Sequence, residues 1–353
     1  MSGLSAALAL LQRGYAVTLL DRGNVGGESS WAGGGILSPL LPWDYAEPVF
    51  TLALRSMAAY PDWIKTVEAN SQLSAEYWPC GMKVLGSGGN EMSLDWCRVH
   101  GLNAALTLED LWLPDIAQVR NPRLIEALRV AVLKLGGTIH TGCAITAVTT
   151  AGARLSGMHT SVGTFTADQY VLATGAWSGM ALPELGSVAA QLGLLGSPNI
   201  RPVRGQMLLF KLEPGALNTI VYRDGLYLIP RRDGHVLAGS TLEDVGFDKS
   251  TDIPTRDRLH AEAAELLPVL DTMQPIQHWA GLRPGSPDNI PIIDRHPDFE
   301  NVFINTGHYR YGVTMAPASA ELLTDIMLGN TPALDPAPYS WQAAALRQWG
   351  AKL

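Results

Sequence analysis

A glycine and an acidic residue near the start of the chain have the spacing of a dinucleotide-binding site. Gly3 opens an apolar stretch that ends at Arg13 and Gly14, and Asp21 directly follows the apolar run 16–20. In such a site, glycines at a strand-to-helix turn let phosphate oxygens approach backbone N–H groups, and an acid about 20 residues later binds the ribose hydroxyls. The same pair also fits an ordinary helix-to-strand connection in any α/β protein.

A long glycine- and serine-rich segment strengthens the dinucleotide interpretation. Residues 26–38 read Gly-Gly-Glu-Ser-Ser-Trp-Ala-Gly-Gly-Gly-Ile-Leu-Ser and follow soon after the acid-bearing run. Glycine lets the backbone come close to a ligand, so we expect this segment to pass beside a flat cofactor. A glycine-rich surface loop is the alternative interpretation.

Composition narrows the class of protein. The 25 Lys and Arg residues against 33 Asp and Glu residues give a net charge of −8, which offers no general attraction for nucleic acid or an anionic membrane. Cys80, Cys97 and Cys143 are too few and too scattered for a disulfide framework or a zinc site. We therefore expect no metal and a reduced, cytoplasmic setting. The apolar start, residues 1–11, lacks the basic region and the length of a signal peptide or a membrane span.

The elements that must position these residues follow from alternating apolar runs and glycine-rich corners, a pattern typical of α/β layering. At 353 residues the chain is longer than one core usually serves, which predicts two domains that share a cleft. Strands are predicted at residues 16–20, 138–140, 144–148, 169–173, 207–210, 227–229, 236–238 and 302–305. Helices are predicted at residues 3–13, 49–70, 122–135, 256–267 and 316–328.

Five later segments, together with the glycine-rich loop, carry a resemblance to a known family. They are residues 171–178 (Val-Leu-Ala-Thr-Gly-Ala-Trp-Ser), 201–206 (Arg-Pro-Val-Arg-Gly-Gln), 227–231 (Tyr-Leu-Ile-Pro-Arg), 281–294 (Gly-Leu-Arg-Pro-Gly and onward) and 305–317 (Asn-Thr-Gly-His-Tyr-Arg-Tyr-Gly and onward). In this order they resemble the D-amino-acid oxidase superfamily, and within it the glycine oxidases of thiamin thiazole biosynthesis. In that family a loop like residues 28–39 runs beside the flavin.

The resemblance implies an α/β fold in which a Rossmann-like FAD-binding domain, its first strand missing, is joined to a substrate domain built on an antiparallel sheet. The FAD-binding domain would comprise residues 1–80, 120–185 and 275–353, and the substrate domain residues 81–119 and 186–274. Relative to the family, the chain would begin inside the phosphate-binding loop. We expect about ten further upstream residues, with a real truncation as the alternative.

The resemblance also implies the site. Arg283, in a turn rich in Pro and Gly, is the first candidate to bind a substrate carboxylate, because a planar guanidinium suits bidentate carboxylate binding. Tyr227 would add a phenol hydrogen bond, and Arg310 a second cation. FAD would be bound without a covalent bond, with contacts from Gly3, Asp21, Arg22, Ser29, Ser30, Ala32, Gly33, Gly34, Ala144, Thr174, Gly175, Trp177, Gly205, Gln206, Arg283, His308, Tyr309, Arg310, Gly312, Val313 and Thr314. No general base is expected, so His308 is given no catalytic role.

The activity implied by the resemblance is FAD-dependent oxidation of glycine, and of small amines such as sarcosine or D-alanine, to an imine and then an oxo acid. Oxygen would be reduced to hydrogen peroxide, and the product would supply thiamin thiazole synthesis. The partners would be the small amine and oxygen, in a homotetramer. One alternative is a dehydrogenase that passes electrons to an acceptor other than oxygen. Another, of a different class, is a non-catalytic scaffold that retains the flavin fold.

Overall fold

The computed structural model describes residues 1–107, 110–179 and 199–350, so the predicted domain boundaries at residues 185 and 186 lie outside the described residues. The described helices are, in chain order, α1 (Ser2–Gln12), α2 (Ser29–Ala32), α3 (Glu47–Ser71), α4 (Glu91–Val99), α5 (Asn121–Lys134), α6 (Ile253–Leu266), α7 (Ala316–Leu328) and α8 (Trp341–Leu346).

The strands are, again in chain order, β1 (Thr18–Leu20), β2 (Ile36–Leu37), β3 (Met82–Leu85), β4 (Ala105–Leu106), β5 (Asp110–Leu113), β6 (Ala117–Gln118), β7 (Thr138–His140), β8 (Ile145–Ala151), β9 (Arg154–Thr160), β10 (Gly163–Phe165), β11 (Tyr170–Leu172), β12 (Arg201–Lys211), β13 (Ile220–Arg223), β14 (Leu226–Pro230), β15 (His235–Gly239), β16 (Gln277–Gly285), β17 (Ile292–Arg295) and β18 (Val302–Thr306). Each strand that was predicted from the sequence is present within a few residues. The mixed fold confirms the predicted α/β class.

Parallel strand pairs form the part of the fold that contains the predicted dinucleotide elements. Strand β1 pairs with β7, and β11 pairs with β18, both in parallel. Helices α1 and α5 bury their apolar faces in one core cluster, and α1, α3 and α7 contribute to a second. Gly14 follows α1 with a φ of 84°, the left-handed conformation that glycine adopts readily. The carboxyl ends of such parallel strands are where α/β folds bind ligands.

An eight-stranded mixed sheet, in the order β16-β12-β15-β14-β13-β3-β5-β4, forms the second layer. All its neighbouring strands are antiparallel except β13 and β3. Helix α6 packs on one face of β12, β14 and β15 through the core cluster that contains Leu259 and Ala263. This sheet matches the predicted antiparallel character of the substrate domain, with one parallel pair added.

Strand β16 differs from the sequence-based expectation. The Pro and Gly residues around Arg283 predict a turn, and the boundary at residue 275 assigns the segment to the flavin domain. In the structure, residues 277–285 pair with β12 at nine successive positions, from Gln277 opposite Leu209 to Gly285 opposite Arg201. Arg283 therefore lies in a strand of the large sheet. Pro284 lacks an N–H donor, and it is accommodated because β16 is an edge strand.

Candidate active site

A cavity, partly open to solvent, lies between the parallel strands and the large sheet. Its walls come from the glycine-rich loop, the residues that follow β11 and β18, and one face of β12, β14 and β16. The residues predicted from the sequence that line it are Ser29, Ser30, Ala32, Gly33, Gly34, Gly175, Gly205, Tyr227, Arg283, His308, Tyr309, Arg310, Gly312 and Val313. Segments far apart in the sequence thus converge on one space.

The glycine-rich loop is pressed against the chain that precedes α5. A Cβ atom on Gly35, whose φ is 79°, would lie 2.1 Å from the carbonyl oxygen of Val119. A Cβ on Gly33 would lie 2.9 Å from the side-chain nitrogen of Asn121. The buried Arg231 donates from Nη2 to the carbonyl oxygen of Gly34 at 2.8 Å. Glycine is therefore required for the close approach of backbone to backbone, and the loop is fixed from the large sheet as well.

Arg283 extends from β16 into the cavity wall and is held by neutral oxygen atoms. Its Nη1 donates to the carbonyl oxygens of Thr241 at 3.1 Å and Arg204 at 3.3 Å, and its Nη2 donates to the hydroxyl of Ser240 at 2.6 Å. Burial lowers the pKa of Arg283, while Tyr227 opposes that effect. The guanidinium stays charged, since arginine is not deprotonated in proteins.

Arg310 is a second cation at the same cavity, surrounded by tyrosine side chains. Burial acts to lower its pKa, but the hydroxyls of Tyr311, Tyr45, Tyr227 and Tyr309 raise that pKa above its usual value. Tyr45 and Tyr311 pack edge to face with ring centroids 5.1 Å apart, and their hydroxyls are hydrogen-bonded. Within the described residues, no carboxylate lies within 4.0 Å of a nitrogen of Arg283 or Arg310. The cavity therefore has a strong preference for an anionic ligand.

A second group of predicted residues lies outside the cavity lining, in α1, after β1, before β8 and after β11. Asp21 accepts a hydrogen bond from the backbone N–H of Gly23 at 2.9 Å, and its own N–H donates to His140. The guanidinium of Arg22 stacks 3.9 Å from the ring of Trp177. The others are Gly3, which packs against Ala173; Ala144, whose neighbour Cys143 donates to Asp21; and Thr174, hydrogen-bonded to Ser178.

Two predicted cofactor residues have side chains engaged elsewhere. Gln206 is buried and its Nε2 donates to Glu243 at 3.1 Å and to Asp252 at 3.0 Å. Because alternate residues of a strand point to opposite faces, Gln206 faces away from the cavity that Gly205 lines. The hydroxyl of Thr314 donates to the carbonyl oxygen of Ile36 at 3.0 Å, which ties the segment after β18 to the glycine-rich loop.

His308 is buried and neutral. Its Nε2 lies 3.0 Å from the hydroxyl of Ser319, and its Nδ1 lies 3.5 Å from that of Ser2. Burial, with a further contribution from the N-terminal ammonium group, lowers the pKa of His308 to about 3. The residue therefore ties α7 to the start of α1 and is poorly suited to accept a proton at neutral pH.

Sequence reasoning missed two buried amides that line the cavity. Asn121, the first residue of α5, donates to the carbonyl oxygen of Ser30 at 2.8 Å, while its side-chain oxygen has no partner in the described chain. Asn305, in β18, has no partner for either side-chain atom within those residues. The available signals were an Asn-Pro pair at a helix start and a polar residue inside the apolar run of β18.

These unpartnered polar atoms provide a test of whether the site fits a cofactor. Tyr309 is a third residue of this kind: it lines the cavity, and its buried hydroxyl has no hydrogen-bond partner in the described residues. Buried polar groups are normally satisfied, so such a cluster requires a ligand or water to complete it. A cavity at the carboxyl ends of β11 and β18, with a glycine-lined wall and unpartnered polar atoms, fits part of a dinucleotide such as FAD.

Comparisons with known proteins agree with this geometry. Residues 1–326 match the family model described as DAO, FAD dependent oxidoreductase. The chain is 42% identical to a glycine oxidase from Pseudomonas aeruginosa, over 96% of this chain and 95% of the relative. It is 30% identical to the bifunctional protein ThiO/ThiG of Trichormus variabilis, over 92% of this chain and 51% of that protein. The crystal structure of glycine oxidase from Geobacillus kaustophilus has a TM-score of 0.86 at 24% identity, covering 96% of this chain and 95% of that one.

Proposed function

This chain belongs to the DAO family of FAD dependent oxidoreductases, and on that premise we propose that it oxidises glycine, with sarcosine and D-alanine as further substrates. It is an FAD-dependent amino-acid oxidase. In the proposed reaction the amine loses two electrons and two protons to give an imine. Water then hydrolyses the imine to an oxo acid and ammonia, or methylamine where the substrate is sarcosine. Oxygen receives both electrons and both protons and becomes hydrogen peroxide.

One observation carries this proposal: Arg283 and Arg310 line the same cavity as Tyr227, and no described carboxylate neutralises either guanidinium. A small amino acid brings the missing carboxylate. Since the amino group needs to be uncharged when hydride leaves its carbon, a cationic site also disfavours the protonated ammonium form. The same two cations therefore favour both the carboxylate and the reactive amine.

Arg283 is the proposed carboxylate-binding residue, and its position is fixed before a substrate arrives. Three hydrogen bonds to Thr241, Arg204 and Ser240 orient the guanidinium plane. Pre-orientation of this kind reduces the entropy lost when a substrate is aligned for reaction. Tyr227 is proposed to donate its phenol hydrogen bond to the same carboxylate, and Arg310 to supply the second positive charge.

The bound FAD supplies the two-electron acceptor, and the chain's own residues hold and shield it. The glycine-rich loop, Gly175 and the segment 308–313 are proposed to contact it across the cavity. Asp21 is proposed to bind ribose hydroxyls, because it directly follows strand β1. Arg22 and Trp177, which stack on each other, are proposed to contact the same ligand. Gln206 and Thr314 are proposed to act through their neighbours, since their side chains bind Glu243, Asp252 and Ile36.

The wider setting follows the same reasoning. We propose that the imine supplies thiamin thiazole assembly, which the similarity to the ThiO/ThiG protein supports.

No helix among the described residues is long and apolar enough to cross a membrane. Cys80, Cys97 and Cys143 are free thiols, in agreement with the proposed reduced, cytoplasmic setting. The homotetramer stays a prediction, which size-exclusion chromatography with light scattering tests.

Anaerobic addition of glycine to the FAD-loaded protein is the experiment that tests the proposal. The flavin absorbance near 450 nm should be bleached, since a bound flavin loses that band on two-electron reduction. Readmission of air should restore the band and release one hydrogen peroxide per glycine. Retention of the band with glycine, sarcosine and D-alanine would reject these substrates. Bleaching without peroxide on readmission of air would favour a dehydrogenase.

A further inference from the structure

Asn305 has a fully buried side-chain amide that makes no hydrogen bond with the described part of the chain. It is the next-to-last residue of β18 and only 1% exposed. Neither its side-chain nitrogen nor its side-chain oxygen has a partner within residues 1–107, 110–179 and 199–350. The residue lines the cavity. Burial of an unpaired carboxamide costs free energy, so its retention here requires a compensating contact.

A second asparagine next to the same strand shows how this fold satisfies a buried amide that has a structural role. Asn301, 2% exposed, accepts a hydrogen bond from the N–H of Leu155 at 2.8 Å. Its nitrogen donates to the carbonyl oxygens of Leu155 at 2.9 Å and Asp168 at 3.2 Å. Asn301 thus joins β18 to β9 with its hydrogen-bonding capacity filled. The side chain of Asn305 makes no such hydrogen bonds with the described residues, and it lines the cavity.

The side chains beside Asn305 are already engaged. The hydroxyl of Thr306 is hydrogen-bonded to Ser178 at 2.7 Å and to the carbonyl oxygen of Gly175 at 3.3 Å. His308 is paired with Ser319. At this end of the cavity, the Asn305 carboxamide therefore offers two donor hydrogens and an acceptor that the surrounding side chains do not use.

We propose that the Asn305 carboxamide is a hydrogen-bonding contact of the bound FAD. Asn305 lies at the carboxyl end of β18, beside β11, in the crevice where a dinucleotide crosses the ends of parallel strands. Phosphate oxygens of a dinucleotide can accept a hydrogen bond from the Asn305 nitrogen, and its hydroxyls can donate one to the Asn305 oxygen. The contact requires FAD binding and does not depend on which amine is oxidised, so its test is separate from that of the substrate.

Replacement of Asn305 by leucine, which has a similar volume, should weaken FAD binding without destabilising the apoprotein. FAD titrated into the Asn305→Leu apoprotein, followed by quenching of flavin fluorescence, should show a Kd raised about tenfold to hundredfold. The thermal midpoint of the apoprotein should stay the same or rise, because the unpaired polar group has been removed. A residue with a purely structural role would lower the midpoint and leave the Kd unchanged.

Asn301→Leu is the matched control. This variant should lower the thermal midpoint of the apoprotein, since it breaks three hydrogen bonds, and should leave the Kd for FAD unchanged. If Asn305→Leu fails to fold, Asn305→Ala is measured in its place with the same two readouts. A wild-type Kd for FAD in the folded Asn305 variant overturns the proposal, whether or not the substrate KM changes.

Discussion

Gly205 lies directly against the guanidinium group of Arg283, and a Cβ atom at position 205 would be 2.2 Å from both Nη1 and Nη2. The two residues belong to the paired strands β12 and β16. Gly205 is opposite Gly281, and a Cβ on Gly281 would lie 2.4 Å from the Cβ of Ala32 in α2. A cross-strand pair of glycines thus leaves space for the proposed substrate clamp on one strand and for the flavin-side helix on the other.

The variant Gly205→Ala should therefore impair the clamp more than the fold. The added methyl group displaces the guanidinium from the oxygen atoms of Thr241, Arg204 and Ser240, so the thermal midpoint should fall somewhat. Displacement of the catalytic geometry by about 1 Å commonly costs about a hundredfold in rate. We expect kcat/KM for glycine to fall by about that factor while FAD content stays at the wild-type level.

The control for this prediction is Gly281→Ala, at the opposite position of the strand pair. Its methyl group would meet Ala32, so we expect weaker FAD binding as the first effect. Steady-state kinetics and FAD titration on both variants distinguish the two outcomes. If Gly205→Ala has unchanged kinetics, the guanidinium position is not critical for substrate binding.

Arg283→Ala should raise the apparent KM for glycine strongly while FAD stays bound. Removal of one partner of a buried charge pair costs about 2–5 kcal/mol in transition-state stabilisation. Amines without a carboxylate should lose far less, because they never used the guanidinium. The measurement is kcat/KM for glycine and for a simple amine with each protein. Equal losses for both compounds would assign Arg283 a structural role.

Asp21→Ala should weaken FAD binding by about 1.5–3 kcal/mol, the range for hydrogen bonds to a charged group. Asp21→Asn is the control for the local turn, because its side-chain oxygen can still accept from the N–H of Gly23. Titration of FAD into each apoprotein gives the comparison. An unchanged Kd in Asp21→Ala would remove Asp21 from the cofactor site.

Much of this arrangement was predictable from local patterns. The apolar runs and glycine-rich corners predict the helices and strands, since each of these depends on residues close in sequence, whereas the parallel pairs join distant segments. The orientation of Gln206 was also within reach, because strand alternation places it opposite to Gly205. Only the pairing of β16 with β12 shows that Arg283 lies in a strand.

The remaining site residues could not be predicted from sequence because their roles depend on contacts between distant segments. Asn121 reaches the loop through Ser30, ninety-one positions earlier in the chain. Arg310 was predicted as a site residue, but the closeness of Tyr45 to it depends on a contact between two distant segments. Asn305 stands out only when its missing partners are known. Such contacts have no periodic signal in the sequence.

The activity on an amino acid should decline gradually as its side chain becomes larger. Glycine and D-alanine differ by one methyl group, and a group of that size in an apolar pocket discriminates by about 1–3 kcal/mol. L-Alanine should be a much poorer substrate. With its carboxylate fixed on Arg283, its methyl group points in the opposite direction to that of D-alanine. The measurement is kcat/KM for all three amino acids. Similar values for L- and D-alanine would contradict a fixed carboxylate.

His308 should make the folded protein less stable as the solution becomes acidic. Its pKa is lowered from 6.5 to about 3 in the folded protein, so between these values the unfolded chain binds a proton that the folded chain does not. The free energy of unfolding therefore falls as pH decreases from 6.5 toward 3, by about 1.4 kcal/mol per pH unit for this group. Above pH 6.5 His308 is neutral in both states, and none of this stability is lost. Urea denaturation at several pH values should show this slope in the wild type. In His308→Gln the slope of the unfolding free energy against pH should be smaller by an amount that corresponds to up to one proton. An identical slope in the two proteins would show that His308 titrates normally in the folded state.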